Sequence, residues 1–195
     1  MRKALISRTT GETKINLSLE ILEHGKKGSF SGTSGIGFFD HMLNSFAVHG
    51  GFDIVLECTG DINVDQHHTV EDVGIVLGKA IKEASGDMVG IRRFSDILLP
   101  LDEALGLCAL DFSGRPYLAF DASFEASGVG GYDTQLTVEF MRALAYNACI
   151  TLHIKIMYGE NDHHKTEAIY KSVGKCIGNA LEIYGSAIPS AKGTL

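Results

Sequence analysis

The stretch Asp65-Gln-His-His-Thr-Val-Glu-Asp72 occurs twice in this chain, and the repetition constrains the fold more than any other feature. The second copy is Asn161-Asp-His-His-Lys-Thr-Glu-Ala168, and both contain His-His-x-x-Glu at an offset of 163 − 67 = 96 residues. The register continues past the motif. Glu71 maps to Glu167, Gly78 to Gly174, Lys79 to Lys175 and Ile81 to Ile177. A fixed offset of about half the chain reads as an internal duplication, so the fold must be one that two similar halves can build together.

An apolar stripe follows each copy at helical spacing: Val70, Val73, Leu77, Ala80, Ile81 and Ala84, then Ile169, Val173, Cys176, Ile177, Ala180 and Leu181. Each His-His-x-x-Glu is therefore expected in the first turn of a helix, with Asp65 or Asp162 near the capping position. On a helix His67 and Glu71 share a face, whereas the neighbours His67 and His68 diverge by about 100°. Adjacent helical histidines thus suit two different ions better than one. A single His-His is usually a surface accident; two in register, each followed by Glu at the same place, point to a two-metal protein with imidazole and carboxylate ligands suited to Mn, Fe, Co, Ni or Zn.

At 195 residues the chain can form one large domain or two small halves sharing a real core. A net charge of −7 argues against nucleic acid or an acidic membrane surface as partner. The first ten residues lack a signal peptide's apolar segment, and no apolar run is long enough to span a bilayer, so the cytoplasm is expected. Cys58, Cys108, Cys149 and Cys176 form no Cys-x-x-Cys pair and read as reduced core thiols.

In chain order, residues 1–21 read as two strands joined by Thr10-Gly-Glu-Thr13. From pattern alone, Glu12 in that link is a solvated loop glutamate. A Gly- and Ser-rich stretch through Gly35 reads as a turn, a short strand and a loop. Phe38 to Val48 is helical, with His41 bordering the apolar face, and Phe52 to Cys58 is a strand. The second half repeats the order. Ile91 to Leu99, Ala104 to Phe112 and Tyr117 to Phe124 read as strands, with a turn at Ser113-Gly-Arg-Pro116. Val129 to Asp133 reads as a flexible link and Gln135 to Ala148 as a helix. Thr151 to Met157 alternates strictly, which places His153 on the polar face of a strand ten residues before the second His-His, as a candidate ligand. The expected class is α+β, with mostly antiparallel sheets and helices on one face of each. The boundaries are residues 1–90 for the first half-repeat and 91–187 for the second. Residues 188–195 form a tail without periodicity, either a disordered end or an ordered ligand-binding arm.

Taken together, Phe39-Asp-His-Met-Leu43, the two His-His-x-x-Glu motifs, Leu101-Asp-Glu103, Ser113-Gly-Arg-Pro116, Tyr132-Asp-Thr-Gln135, Thr151-Leu-His153 and Pro189-Ser-x-Lys-Gly193 closely resemble the imidazoleglycerol-phosphate dehydratases. The resemblance runs in order along nearly the whole chain. It implies duplicated ribosomal-protein-S5-domain-2-like halves. It also implies a hydro-lyase of histidine biosynthesis that dehydrates imidazole glycerol phosphate to imidazole acetol phosphate through a dimanganese-bound imidazolate. Carried over by position, it implies metal ligation by His41, His67, His68, Glu71, His153, His163, His164 and Glu167. The phosphate would fall to Arg93, Arg115, Ser190 and Lys192, with Arg92 beside Arg93 where the family commonly has Asn-Arg. Proton transfer would fall to Glu12, Glu71 or Glu167. It further implies two manganese ions per active site and homo-oligomers, 24-mers, with metal sites at subunit contacts.

Two other readings remain open from the residues. A two-metal hydrolase acting on a phosphate ester would hold its ions about 3.5–4 Å apart. A metal-assembled structural oligomer would have closed coordination shells.

Overall fold

Alternating apolar residues build two sheets, and the helical stripes fill the space between them. A computed structural model describes residues 2–193 of the chain; Thr194 and Leu195, the end of the expected tail, lie outside the described residues. The first half runs β1 (Lys3–Thr9), β2 (Thr13–Ile21), β3 (Ser29–Thr33), α1 (Gly37–Gly50), β4 (Phe52–Gly60) and α2 (His67–Ala84). The second half runs β5 (Phe94–Leu101), β6 (Ala104–Asp111), β7 (Tyr117–Asp121), β8 (Gly128–Val129), β9 (Tyr132–Asp133), α3 (Leu136–Ala148), β10 (Thr151–Tyr158) and α4 (Asp162–Ala180).

The duplication is visible in the topology. One four-stranded sheet has the order β1-β2-β4-β3 and the other β5-β6-β10-β7, the same sequence of equivalent strands. In each, two pairings are antiparallel, and the third strand pairs parallel with the strand that follows its helix. Ile15, Leu17 and Leu19 of β2, and Cys108, Leu110, Leu152 and Ile154 of the second sheet, face inward and are buried. All four helices lie on these inner faces. α1 packs on α4 and α2 on α3, giving a sheet–helix–helix–sheet stack in which each half covers the other's helices.

The helix pairs cross closely, and the repeated glycines explain how. A Cβ at Gly174 would stand 2.4 Å from the Phe46 carbonyl oxygen, and one at Gly78 would stand 2.7 Å from that of Leu144. The two glycines related by the 96-residue offset thus serve equivalent contacts, α4 on α1 and α2 on α3.

Three local expectations change. The strand expected from Ile91 starts at Phe94, because Arg93 has φ 73°, a left-handed turn that an extended ladder cannot pass through. The link expected at 129–133 is a tight hairpin, β8 to β9, turned by Gly130 and Gly131 at φ 58° and 79°. The cap of α4 is Asn161, whose side chain accepts from the backbone N–H of His163 and His164, rather than Asp162. Asp162 instead anchors the loop before β8. Its carboxylate accepts from the Glu125 and Ala126 N–H groups and pairs with buried Lys165 at 2.5 Å. All four cysteines are free; Cys108 and Cys176 are buried in the core as expected, whereas Cys58 and Cys149 are only partly buried. No helix among the described residues is long and apolar enough to cross a membrane.

Candidate metal centre

Both His-His-x-x-Glu motifs open their helices as the spacing requires, and in each the two rings part. The ring planes of His67 and His68 lie at 73°, and so do those of His163 and His164. His163 turns toward α1. Its Nε2 is 3.4 Å from Glu167 on the next turn, and its ring centroid is 5.8 Å from that of His41. Donor atoms of His41, His163 and Glu167 all lie within 4.8 Å of one another, the one such group of three among the described residues. Phe38 packs edge-on against His163, centroids 5.1 Å apart, and sets the ring's attitude. Burial alone would raise the Glu167 pKa, but Lys171 at 3.0 Å and the Ser45 hydroxyl at 3.0 Å hold it below the ordinary carboxylate value. Glu167 is thereby kept ionised, as a ligand must be.

The first-half counterpart is looser. His67 Nε2 is 3.8 Å from Glu71, and both side chains are nearly half exposed. The α1 residue that completes the other group has an α3 counterpart that the sequence reading missed. Gly51 and Cys149 both cap their helices in the left-handed conformation, bonding back to Ala47 and Ala145. His41 lies 51 − 41 = 10 residues before the first cap and Glu139 lies 149 − 139 = 10 before the second. Glu139 therefore holds in α3 the place His41 holds in α1, and α3 packs on α2 as α1 packs on α4. The offset here is 139 − 41 = 98 rather than 96, and Cys149 does not announce a left-handed cap as Gly51 does, so the sequence hides the equivalence. Glu139 is paired with Arg142 one turn on.

The inner histidines face the strand turns. His68 Nδ1 lies 3.1 Å from both oxygens of Asp61, and its Nε2 lies 3.6 Å from Glu12. Glu12, unremarkable as a pattern, is thus brought to the motif by the β1–β2 turn. The hydrogen bond that His68 donates to Asp61 raises the histidine's pKa, and the nearby Glu12 charge adds to it. His164 Nδ1 lies 2.7 Å from Glu103, and its Nε2 lies 3.4 Å from Asp102. Glu103 accepts from the Asn161 and Glu160 N–H groups as well as from His164, and its pKa falls to about 2. Asp102 and Glu103 entered the sequence reading only as part of a longer motif. Their position in a hairpin turn, far from the histidines in sequence, carried no signal of the contact.

His153 lies elsewhere. On β10 it points with Lys155 to the outer face of the second sheet, and its ring lies 5.9 Å from that of Tyr117. The alternation that exposes it also turns it away from α4, so within one chain it does not reach the His163 group.

Of the four residues expected at a phosphate, Arg93 is committed to the fold. Its Nε and Nη2 donate to Asp111 at 2.7 and 3.2 Å, and its Nη1 donates to the Pro189 carbonyl at 2.8 Å. It thereby pins the tail bearing Ser190 and Lys192 to the end of β6, two residues before Ser113. Arg115 is exposed in the turn that follows, braced by Ser113, and Lys192 is exposed on the tail. Arg92 turns away to Glu182 at 2.7 Å.

A family model described as imidazoleglycerol-phosphate dehydratase matches residues 34–177. A relative of that name from Carboxydothermus hydrogenoformans is 49% identical over 195 residues, covering 100% of both chains. One from Acetivibrio thermocellus is 53% identical over 179 residues, 92% of this chain and 90% of its own. The solved structure of the Staphylococcus aureus enzyme superposes with a TM-score of 0.83 at 36% identity, covering 93% of this chain and 99% of that one. The Pyrococcus furiosus structure gives 0.82 at 35% identity, covering 97% and 100%.

Proposed function

The chain belongs to the imidazoleglycerol-phosphate dehydratase family, a family of hydro-lyases, and from that premise we propose that it dehydrates imidazole glycerol phosphate in histidine biosynthesis at paired divalent-metal centres. The observation that carries the metal reading is the group His41, His163 and Glu167, with donor atoms all within 4.8 Å of one another. Two imidazoles and an ionised carboxylate fit a borderline divalent ion, and manganese is the ion the family resemblance implies. His67, Glu71 and Glu139 are the equivalent donors at the other helix start. Neither set closes a coordination shell within one chain, and His68 and His164 diverge from their neighbours. We assign these two rings to ions shared with another copy of the chain, in a homo-oligomer of the 24-mer kind. His153, exposed on the outer sheet face, is assigned as a ligand to an ion shared with another copy rather than to the His163 group of its own chain.

The chemical difficulty is a weakly acidic C–H beside the imidazole ring. Bound divalent ions would supply Lewis acidity that eases its ionisation. The side chains do the rest. Glu12, half exposed and 3.6 Å from His68 Nε2, is the carboxylate free to carry a proton, whereas Glu167 is tied to Lys171 and Ser45. Phe38 holds His163 in one attitude. Arg115, Ser190 and Lys192 bind the substrate's phosphate, with Arg93 positioning the tail that carries two of them. Local positive charge thus lets a chain of net charge −7 take an anionic substrate. The four free thiols fit a reducing compartment, and we place the enzyme in the cytoplasm.

An assay of the purified protein on imidazole glycerol phosphate, with and without added manganese, tests the reading. Metal-dependent product is expected; no product in either condition rejects it. Arg115→Ala and Lys192→Ala are each expected to lower kcat/KM by about tenfold or more, the scale of one charge-assisted hydrogen bond. The loss should reach kcat as well as KM, because remote binding energy orients the ring. Unchanged steady-state constants in both variants would remove these residues from the site.

A further inference from the structure

The two halves hold their inner histidines by the same bond, but they take it from different places. In the first half Asp61, one residue beyond β4, accepts at His68 Nδ1. By strand register, with Thr13 opposite Gly60 and Leu105 opposite Tyr158, the equivalent position in the second half is Glu160, whose backbone N–H donates to Glu103 and whose carboxylate is not the partner of His164. There His164 Nδ1 donates to Glu103, the residue just before β6. The first-half equivalent of Glu103 is Glu12, just before β2, and it sits by Nε2 of His68 rather than Nδ1. A duplication copies whatever its ancestor had. Here the copies have diverged in sequence and turn position, yet both inner rings carry a carboxylate on Nδ1. The outer rings differ. His67 and His163 have their Nε2 atoms beside the helix glutamates, and neither Nδ1 atom is paired among the described residues.

We infer that Asp61 and Glu103 are positioning residues that fix the Nδ1–H tautomer of His68 and His164, leaving Nε2 as the free donor for an ion. The inference rests on the metal reading above. A neutral imidazole has one N–H and one lone pair, and which nitrogen carries which is set by the partner of the other. A carboxylate can only accept, so each Nδ1 must be the donor and each Nε2 the lone pair. The carboxylate also stops the ring from rotating about its Cβ–Cγ bond, so that Nε2 points to one spot. That spot is next to Glu12 in one half and Asp102 in the other, at 3.6 and 3.4 Å. Both inner rings therefore present the same nitrogen, beside a carboxylate from a strand turn.

Asp61 gives the cleaner variant. Its side chain bonds only to His68, whereas Glu103 also accepts two backbone N–H groups of the loop before α4. Binding of Mn2+ to the metal-free protein is followed by the electron spin resonance of the free ion. Asp61→Ala and Glu103→Ala are expected to weaken it about 10–100-fold, the usual effect of losing a carboxylate behind a metal-binding histidine. Asp61→Asn and Glu103→Gln, whose amide oxygens can still accept from Nδ1–H, are expected to recover most of the loss. Histidine 15N spectra of the metal-free protein should show His68 and His164 as Nδ1–H rings in the wild type, with the His68 signal lost in Asp61→Ala and the His164 signal lost in Glu103→Ala. The melting temperature of metal-free Asp61→Ala should match the wild type. Wild-type manganese affinity in both alanine variants overturns the inference. So does a loss that the amide variants fail to recover, which would mark a structural role. If the wild type itself binds no Mn2+, the metal reading falls first and this inference with it.

Discussion

His163→Ala is expected to lower kcat/KM on imidazole glycerol phosphate by on the order of a thousandfold, because an ion lost from the site forfeits several kcal/mol of charge stabilisation. His163 is the hub of its group. It contacts Glu167 along α4, faces His41 across the helix crossing, and leans on Phe38. Without it two protein donors remain on different helices, too few to hold a divalent ion firmly. The fold should survive. The ring is 40% exposed, alanine is the better helix former, and Asn161 can still cap the helix through the same backbone N–H groups. His164→Ala should behave differently. Its ring points to Glu103 and Asp102, away from the His41 group, so its loss should empty the other class of site. Metal analysis of the two purified variants, beside their activity, decides the matter. Equal loss of both ions in both variants would sink the division of each His-His pair between two centres.

The homo-oligomer proposed above is expected to break into a smaller species on chelation, with manganese restoring it. Among the described residues of one chain only His41, His163 and Glu167 bring three donor atoms together, and His68 and His164 point to other places. The outer faces of both sheets leave Leu5, Val55, Phe94, Leu98 and Met157 exposed, apolar surface of the kind that subunit contacts cover. An ion held between subunits binds the assembly better than the free chain and stabilises it by linkage, about 2.7 kcal/mol per site at a hundred times the dissociation constant. The pH dependence has a definite sign. Ligand histidines must be neutral, so protons compete with metal, and the stabilisation present at neutral pH is lost as pH falls through the imidazole range. Sedimentation velocity on stripped and refilled protein, and on protein brought to mild acid, measures this directly. An unchanged particle after verified metal removal would confine the metal to catalysis.

Much of the architecture was legible because it depends on local periodicity. The 96-residue offset implied two like halves, and the sheet orders β1-β2-β4-β3 and β5-β6-β10-β7 match it. Helical spacing placed both His-His pairs in first turns and required their rings to diverge. Where the reading slipped, a non-local contact had intervened. Arg93 turns left-handed while its guanidinium ties Asp111 to the tail, so β5 starts late. Gly130 and Gly131 make a hairpin that carries Tyr132 into the core, where its hydroxyl meets Tyr170 at 3.2 Å.

The sequence by itself determined which face of its own element each side chain takes. Period 3.6 put His163 and Glu167 on one side of α4, and period 2 put His153 opposite Leu152 and Ile154 on β10. Only the tertiary structure decided which faces meet. His41 joins His163 because Gly174 lets α4 close onto α1, a contact between residues more than a hundred positions apart. Glu12, Asp61 and Glu103 reach the inner histidines because strand turns and helix starts share one edge of the stack. Glu139 takes the place of His41 through a left-handed cap that no glycine marks. Periodicity is a property of neighbours along the chain and survives in the one-dimensional record. The meeting of faces depends on how two sheets and four helices pack, and no spacing in the sequence encodes it directly.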